Sequence, residues 1–224
     1  MASTIMHIAV ADQLYKKINT KINTKINTKI NINYYDYILG TIAPDISKHL
    51  GENKLKSHFL DNSKGIPNID NFLKKYQPTL TNSFNLGYFI HLYTDRLFYR
   101  NYYSLFIQDD FFTSIVKPLN GDIIKISKIE RTKMLYNDYT NLNPLLIDEY
   151  NLNLDIFYTE YTTPPTTIDV IPIDKLNLLV DDAGILIQNL SQEKEYIIDI
   201  SSIKAFIDDC VEEIYAKLQS INLI

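Results

Sequence analysis

The stretch Leu86-Gly87-Tyr88-Phe89-Ile90-His91-Leu92-Tyr93-Thr94-Asp95 constrains the fold more than any other part of the chain. With Asn82 or Ser83 as a cap, its spacing predicts a long apolar helix through about Tyr103. His91 and Asp95 then stand at i and i+4, on one face of that helix. A charged Asp95 in such surroundings is costly unless it faces a cation or a hydrogen-bond donor. Two arrangements answer that cost. His91 and Asp95 bond each other inside a helix bundle, or they face metal ions and the outer partners of those ions.

The remaining sequence reads as further helices separated by short breaks. Ser3 or Thr4 caps a first helix to about Lys17, and Asn68 or Asp70 starts a short one ending near Tyr76 and Pro78. Ser127 caps another, running to about Tyr139. Pro172 sits near the start of a helix containing Leu176, Leu178, Leu179, Val180, Ile185 and Leu186. Ser202 caps the last helix, where Ile203, Phe206, Ile207, Cys210, Val211, Ile214 and Leu218 recur at helical spacing. Asn120-Gly121 and Thr163-Pro164-Pro165-Thr166 are breaks. No run of alternating strands builds a sheet, so the expected fold class is all-α, a compact multi-helix bundle. Residues 1–224 are read as one domain.

At 224 residues and 46% apolar, the chain can bury a large core, which excludes disorder as its main state. Cys210 is the sole cysteine, so no internal disulfide can form, and it is read as a small buried apolar group. The amino terminus lacks a basic region and its apolar stretch is interrupted by His7, which is not a signal-peptide pattern. The run from Leu86 to Tyr93 falls well short of the roughly 18 to 20 residues that cross a bilayer. A cytoplasmic protein is expected. Lys-Ile-Asn-Thr occurs three times from Lys17 to Thr28 and decays to Lys-Ile-Asn-Ile at 29 to 32. The segment 17–32 is read as a low-complexity insert, an extension of the first helix that frays into a loop, with no chemistry of its own.

The net charge of −5 argues against strong unspecific attraction to nucleic acid or anionic lipid. It hides a division, +6 over residues 1–100 and −11 over 101–224. All four histidines, at 7, 49, 58 and 91, lie in the first part. His49 is read as a solvent-exposed loop residue. The seventeen tyrosines are read mainly as packing, though stacked aromatics also suit a choline-like group.

Gly40-Thr41-Ile42-Ala43-Pro44-Asp45 ends an apolar approach in a Pro-Asp turn, and His58 follows in Lys56-Ser57-His58-Phe59. Together with His7 and the His91-x-x-x-Asp95 phrase, this order resembles the zinc-dependent phospholipase C family, whose helical fold is shared with nucleases of the S1/P1 type. The resemblance covers roughly residues 5 to 104. It implies that His7, Asp45, His58, His91 and Asp95 ligate one or two zinc ions, His58, His91 and Asp45 holding one and His7 with Asp95 holding or bridging to a second. Asp45 is also the candidate catalytic group that takes a proton from the attacking water. Zinc favours such ligands, and an open coordination position lowers the pKa of bound water to about 7.

Departures from the family accompany the match. Secreted members use the amino group of a processed amino-terminal Trp, and this chain contains no Trp. Their third site uses two histidines and a glutamate beyond the His-x-x-x-Asp helix, where this chain has no histidine. Asp138 is weighed as a substitute carboxylate against an ordinary exposed helix residue. The resulting expectation is a zinc-dependent hydrolase of phosphate esters, phospholipase C-like, using metal-bound hydroxide on a phospholipid or related phosphodiester. The alternatives are a non-catalytic helical scaffold with a degenerate metal site, and a nuclease, which the acidic charge disfavours.

Overall fold

A computed structural model describes residues 2–22, 30–61, 65–181 and 195–224. Helix α1 (Thr4–Ile22) starts where Ser3 Oγ accepts the Met6 amide at 3.2 Å, which satisfies one of the donors a helix start leaves bare. Ile5, Met6, Ile8, Val10 and Leu14 are fully buried, and α1 packs against four other helices. The repeat begins inside this helix, with Ile18 in the core. Residues 23–29, where the repeat was expected to fray, lie outside the described residues.

Helix α2 (Tyr34–Ile42) is capped by Asn33, then a 3-10 turn (Ala43–Asp45) and a single helical turn, α3 (Ile46–His49), carry the chain away. The sequence reading took 34–42 only as an apolar approach to the Pro-Asp turn. Helix α4 (Ile69–Tyr76) is capped by Asn68, and the central helix α5 (Ser83–Leu97) by Asn82. One π-helical turn (Phe98–Tyr102) separates α5 from the short α6 (Tyr103–Phe106), so the apolar helix extends about as far as its spacing predicts.

Helices α2 and α5 make the most extensive packing of the fold, and two glycines set its distance. A Cβ on Gly40 would lie 2.1 Å from the Phe84 carbonyl oxygen, and one on Gly87 would lie 2.0 Å from that of Tyr37. Both separations are impossible for real atoms, so each glycine admits the other helix's backbone. Glycine inside a helix costs about 1 kcal/mol relative to alanine, and close helix approach is the return here.

The chain is mainly helical, as expected, but the expectation that no strands build a sheet fails between 107 and 127. Strands β1 (Ile107–Asp109), β2 (Thr113–Val116) and β3 (Ile124–Ser127) form an antiparallel sheet in that order. Ile107 pairs with Val116 and both are buried, while Ile115 and Lys125 pair on the outer face. Strands of three and four residues are too short for period-2 alternation to stand out in the sequence.

Ser127 caps α7 (Lys128–Tyr150) in a reciprocal arrangement with Glu130. The helix continues past Tyr139 and through Pro144, with buried Leu142 and Leu146 holding its second half to the core. The 163–166 break is irregular as read. It is tied to the start of α5, where Asn82 donates to the Pro165 carbonyl at 2.7 Å and Asn85 to Thr167 Oγ1 at 2.8 Å. Pro172 precedes a 3-10 turn (Ile173–Lys175) and a helical stretch at 176–181, while the expected Ile185 and Leu186 lie outside the described residues. The last helix, α8 (Ile200–Ser220), buries the apolar face that its spacing predicts, Cys210 included. Its cap is Asp199 rather than Ser202, whose amide donates to Asp199 Oδ1 at 2.7 Å. Among the described residues, no helix is long and apolar enough to cross a membrane.

Candidate metal centre

The close crossing of α2 and α5 sets His91 beside the end of α2. Its Nδ1 lies 2.8 Å from the Thr41 carbonyl oxygen. That oxygen can only accept, so Nδ1 carries the hydrogen and the neutral ring keeps its lone pair on Nε2. Burial, reinforced by the neighbouring His7 ring, holds the His91 pKa well below the usual imidazole range, which keeps the ring neutral near pH 7. His91 is thereby presented as a lone-pair donor with one free nitrogen.

Four other side chains converge on that nitrogen. His58, in the turn after α3, points Nε2 to within 3.3 Å of His91 Nε2, while its Nδ1 lies 2.9 Å from Ser57 Oγ. Asp45, the last residue of the 3-10 turn, has Oδ1 3.5 Å from His58 Nε2. His7, on α1, stacks its ring on His91 at 3.9 Å between centroids. Asp95, one turn beyond His91 on α5, turns Oδ1 toward His7 Nε2 at 3.4 Å and Oδ2 toward His58 and His91, 3.8 Å from each. The Ala2 amide donates to Asp95 Oδ1 at 3.2 Å.

The five residues of the sequence expectation thus lie together. They form two groups, His7 with His91 and Asp95, and Asp45 with His58 and His91, whose donor atoms in each group fall within 4.8 Å of one another. His91 stands in both groups but has one lone pair to give, so it can serve one ion at a time. Asp95 faces both groups with separate oxygens. All five residues are buried, and among the described residues His7 Nδ1 has no hydrogen-bond partner and Nε2 meets only Asp95 Oδ1, at 3.4 Å. Buried imidazole nitrogens facing carboxylates and each other's lone pairs leave a site deficient in positive charge. A divalent cation fits that donor set.

The carboxylates are held ready for one. Burial would raise Asp45, yet its hydrogen bond with His58 and the ammonium of Lys54 hold it below the ordinary carboxylate range. Asp95 behaves in the same way, with burial outweighed by His7. Lys54 Nζ donates to Asp45 Oδ1 at 3.2 Å, the single close ammonium partner of that carboxylate among the described residues.

His58 and Asp95 open onto a cleft of about 370 Å³. Its far wall is one face of α7, where Arg131, Leu135, Tyr136 and Tyr139 follow at helical spacing. Tyr99, Tyr103 and Asp109 complete the rim. Sequence reasoning missed this wall. The tyrosines had been assigned to packing, and nothing in the sequence says which face of α7 turns toward α5. The glycines within apolar stretches at 40 and 87 were a usable signal for the crossing that aims His91, because such positions need a packing reason.

Two candidates lie elsewhere. Asp138 is neither a metal ligand of these groups nor an exposed helix residue. It is fully buried and accepts the amides of Tyr196, Ile197 and Ile198 at 2.7, 2.8 and 3.0 Å, pinning the approach to α8 onto α7. Burial pushes its pKa up and the three amides oppose that push. His49 is half-buried at the end of α3 and belongs to neither donor group.

A mainly helical fold thus brings buried imidazole and carboxylate donors able to hold a metal ion beside a cleft. Residues 6–98 match the sequence model of the zinc dependent phospholipase C family, a span that holds all five converging residues. The resemblance read from the sequence is borne out over that span. No curated protein and no solved structure matches the chain.

Proposed function

We propose that this chain is a zinc-dependent hydrolase of phosphate esters, with a phospholipid or related phosphodiester as substrate. The observation that carries the reading is the convergence of three buried imidazoles and two buried carboxylates, of which His58 and Asp95 line a cleft. In this reading His58, His91 and Asp45 would hold one zinc ion, and His7 with Asp95 would hold a second. Zinc, when bound, supplies Lewis-acid stabilisation of phosphoryl charge and lowers the pKa of a bound water.

The chain's own residues do the rest. Thr41 and Ser57 fix the ring orientations of His91 and His58 through their Nδ1 atoms, as outer partners of metal-bound imidazoles do. Lys54 and Arg131 bring two cations to the walls of the cleft, suited to the negative oxygens of a phosphate ester. Of the two roles weighed for Asp45, ligand fits better than proton acceptor, since its carboxylate lies with His58 and His91 in one donor group. The tyrosines that line the cleft, Tyr99, Tyr103, Tyr136 and Tyr139, suit the organic portion of the ester.

The test is a metal count on purified protein, joined to assays on soluble phosphomonoesters and phosphodiesters. One or two zinc equivalents with turnover abolished by a chelator and restored by zinc is the expected result. A folded preparation that takes up no metal would overturn the reading. Zinc without turnover on any ester would favour the non-catalytic scaffold.

A further inference from the structure

The sheet beside the cleft carries a feature that the metal centre does not use. The turn between β1 and β2 exposes Phe111 and Phe112 at 80% and 78%, their rings packed edge to face on each other at 4.7 Å. At the same end of the sheet, Thr113 pairs with Ser127, and Ile129, two residues beyond Ser127, is 71% exposed. Large apolar groups this exposed at one end of a sheet are not explained by burial in the core of the described residues.

Three observations say what this tip meets. The first is its position. Asp109, at the root of the hairpin, lines the cleft and holds Arg131 Nη2 at 3.3 Å and the Tyr103 hydroxyl at 3.0 Å, so the tip is fastened to the cleft rim. The second is charge. Residues 107–133 hold five of the nine Lys and Arg of the acidic part 101–224, against four of its twenty Asp and Glu. This segment is therefore close to neutral in a region of net charge −11; Lys128 and Glu130 stand on either side of Ile129, Lys133 lies one helical turn on, and Asp110 precedes Phe111. The third is shape. A narrow two-ring tip offers little area to a protein partner but suits insertion between lipid head groups, where aromatic side chains are at home.

We infer that Phe111 and Phe112, with Ile129, form an anchor that seats the cleft on a phospholipid surface. This rests on the proposal that the cleft takes a phospholipid ester. The rings enter the head-group layer, Lys128 and Lys133 lie over it, and the rim formed by Asp109 and Arg131 is brought to the depth of the phosphates. Anionic lipid strengthens the attachment through the lysines, an effect that salt weakens.

The test is sedimentation with vesicles of phosphatidylcholine alone and of phosphatidylcholine mixed with phosphatidylserine, with and without a chelator. It compares the parent with the Phe111→Ser, Phe112→Ser double variant. Turnover of a water-soluble phosphodiester is measured beside it. The parent should sediment with both vesicles, more fully with the anionic ones, and the double variant should lose about tenfold or more of the partition. Its circular dichroism and soluble-diester turnover should match the parent. A parent that stays in the supernatant, or a variant that binds equally, overturns the anchor while zinc-dependent soluble turnover leaves the hydrolase reading standing. Self-association of the parent that the double variant abolishes, with no vesicle binding, would make a second copy the occupant and also overturn it. Vesicle binding through the phenylalanines without zinc or turnover would support the surface and overturn the hydrolase.

Discussion

Asp95 on α5 and Asp138 on α7 are both buried aspartates in helices, and they sit in opposite environments. Asp138 accepts three backbone amides and needs no further partner. Asp95 accepts one, from Ala2, and otherwise looks at three imidazoles, one of them His7, whose Nδ1 has no partner among the described residues. Burial alone therefore does not mark a functional carboxylate. What separates the two is whether the surroundings supply hydrogen-bond donors or more lone pairs, and only the second case asks for a metal ion.

The largest effect expected from this contrast is at His91. His91→Ala removes the lone pair shared by the two donor groups, so zinc content and phosphodiesterase activity should both fall by more than the roughly 10- to 100-fold that loss of an outer partner costs. Metal analysis and turnover of a soluble diester check it. If His91 served only to bond within the bundle, the variant would instead lose roughly 1 to 3 kcal/mol of stability from a parent that never held zinc.

Next in size is Gly87→Ala. At an open helix site this change stabilises by about 1 kcal/mol. Here the new Cβ meets the Tyr37 carbonyl oxygen, so we expect a net loss of roughly 3 kcal/mol in denaturant unfolding, and weaker zinc binding as the Thr41 carbonyl moves off His91. A stabilised variant would show that the helices do not cross this closely.

The smallest effect separates the two aspartates directly. Asp138→Asn keeps one acceptor oxygen and replaces the other by a donor facing amides, at a cost of about 1 to 3 kcal/mol. Its zinc content should equal the parent's when measured below the unfolding transition. Loss of zinc without loss of stability would put Asp138 in the metal centre.

How much of this was legible depended on the range of the interaction. His91 and Asp95 could be paired from spacing alone because one helix holds both, and the caps at Asn82, Asn68 and Ser127 are local events read from two or three residues. Joining His7, Asp45 and His58 to them took a resemblance to a known family, since those residues arrive from separate elements. The sheet at 107–127 escaped because strands of three or four residues leave too short a pattern. Asp138 escaped because its donors lie some sixty residues away, at 196–198, and the backbone offers no sequence signal for them. Arg131 was invisible for a related reason. Its helical position was predicted, but the direction in which α7 faces is set by tertiary packing.

The central proposal, that His7, Asp45, His58, His91 and Asp95 would hold two zinc ions and that Asp95 is needed for both to bind, is tested most directly by native mass spectrometry of the zinc-reconstituted parent beside Asp95→Asn. Two zinc ions in the parent, and one or none in a variant whose helical circular dichroism is unchanged, is the predicted result. Equal zinc in both proteins would contradict it.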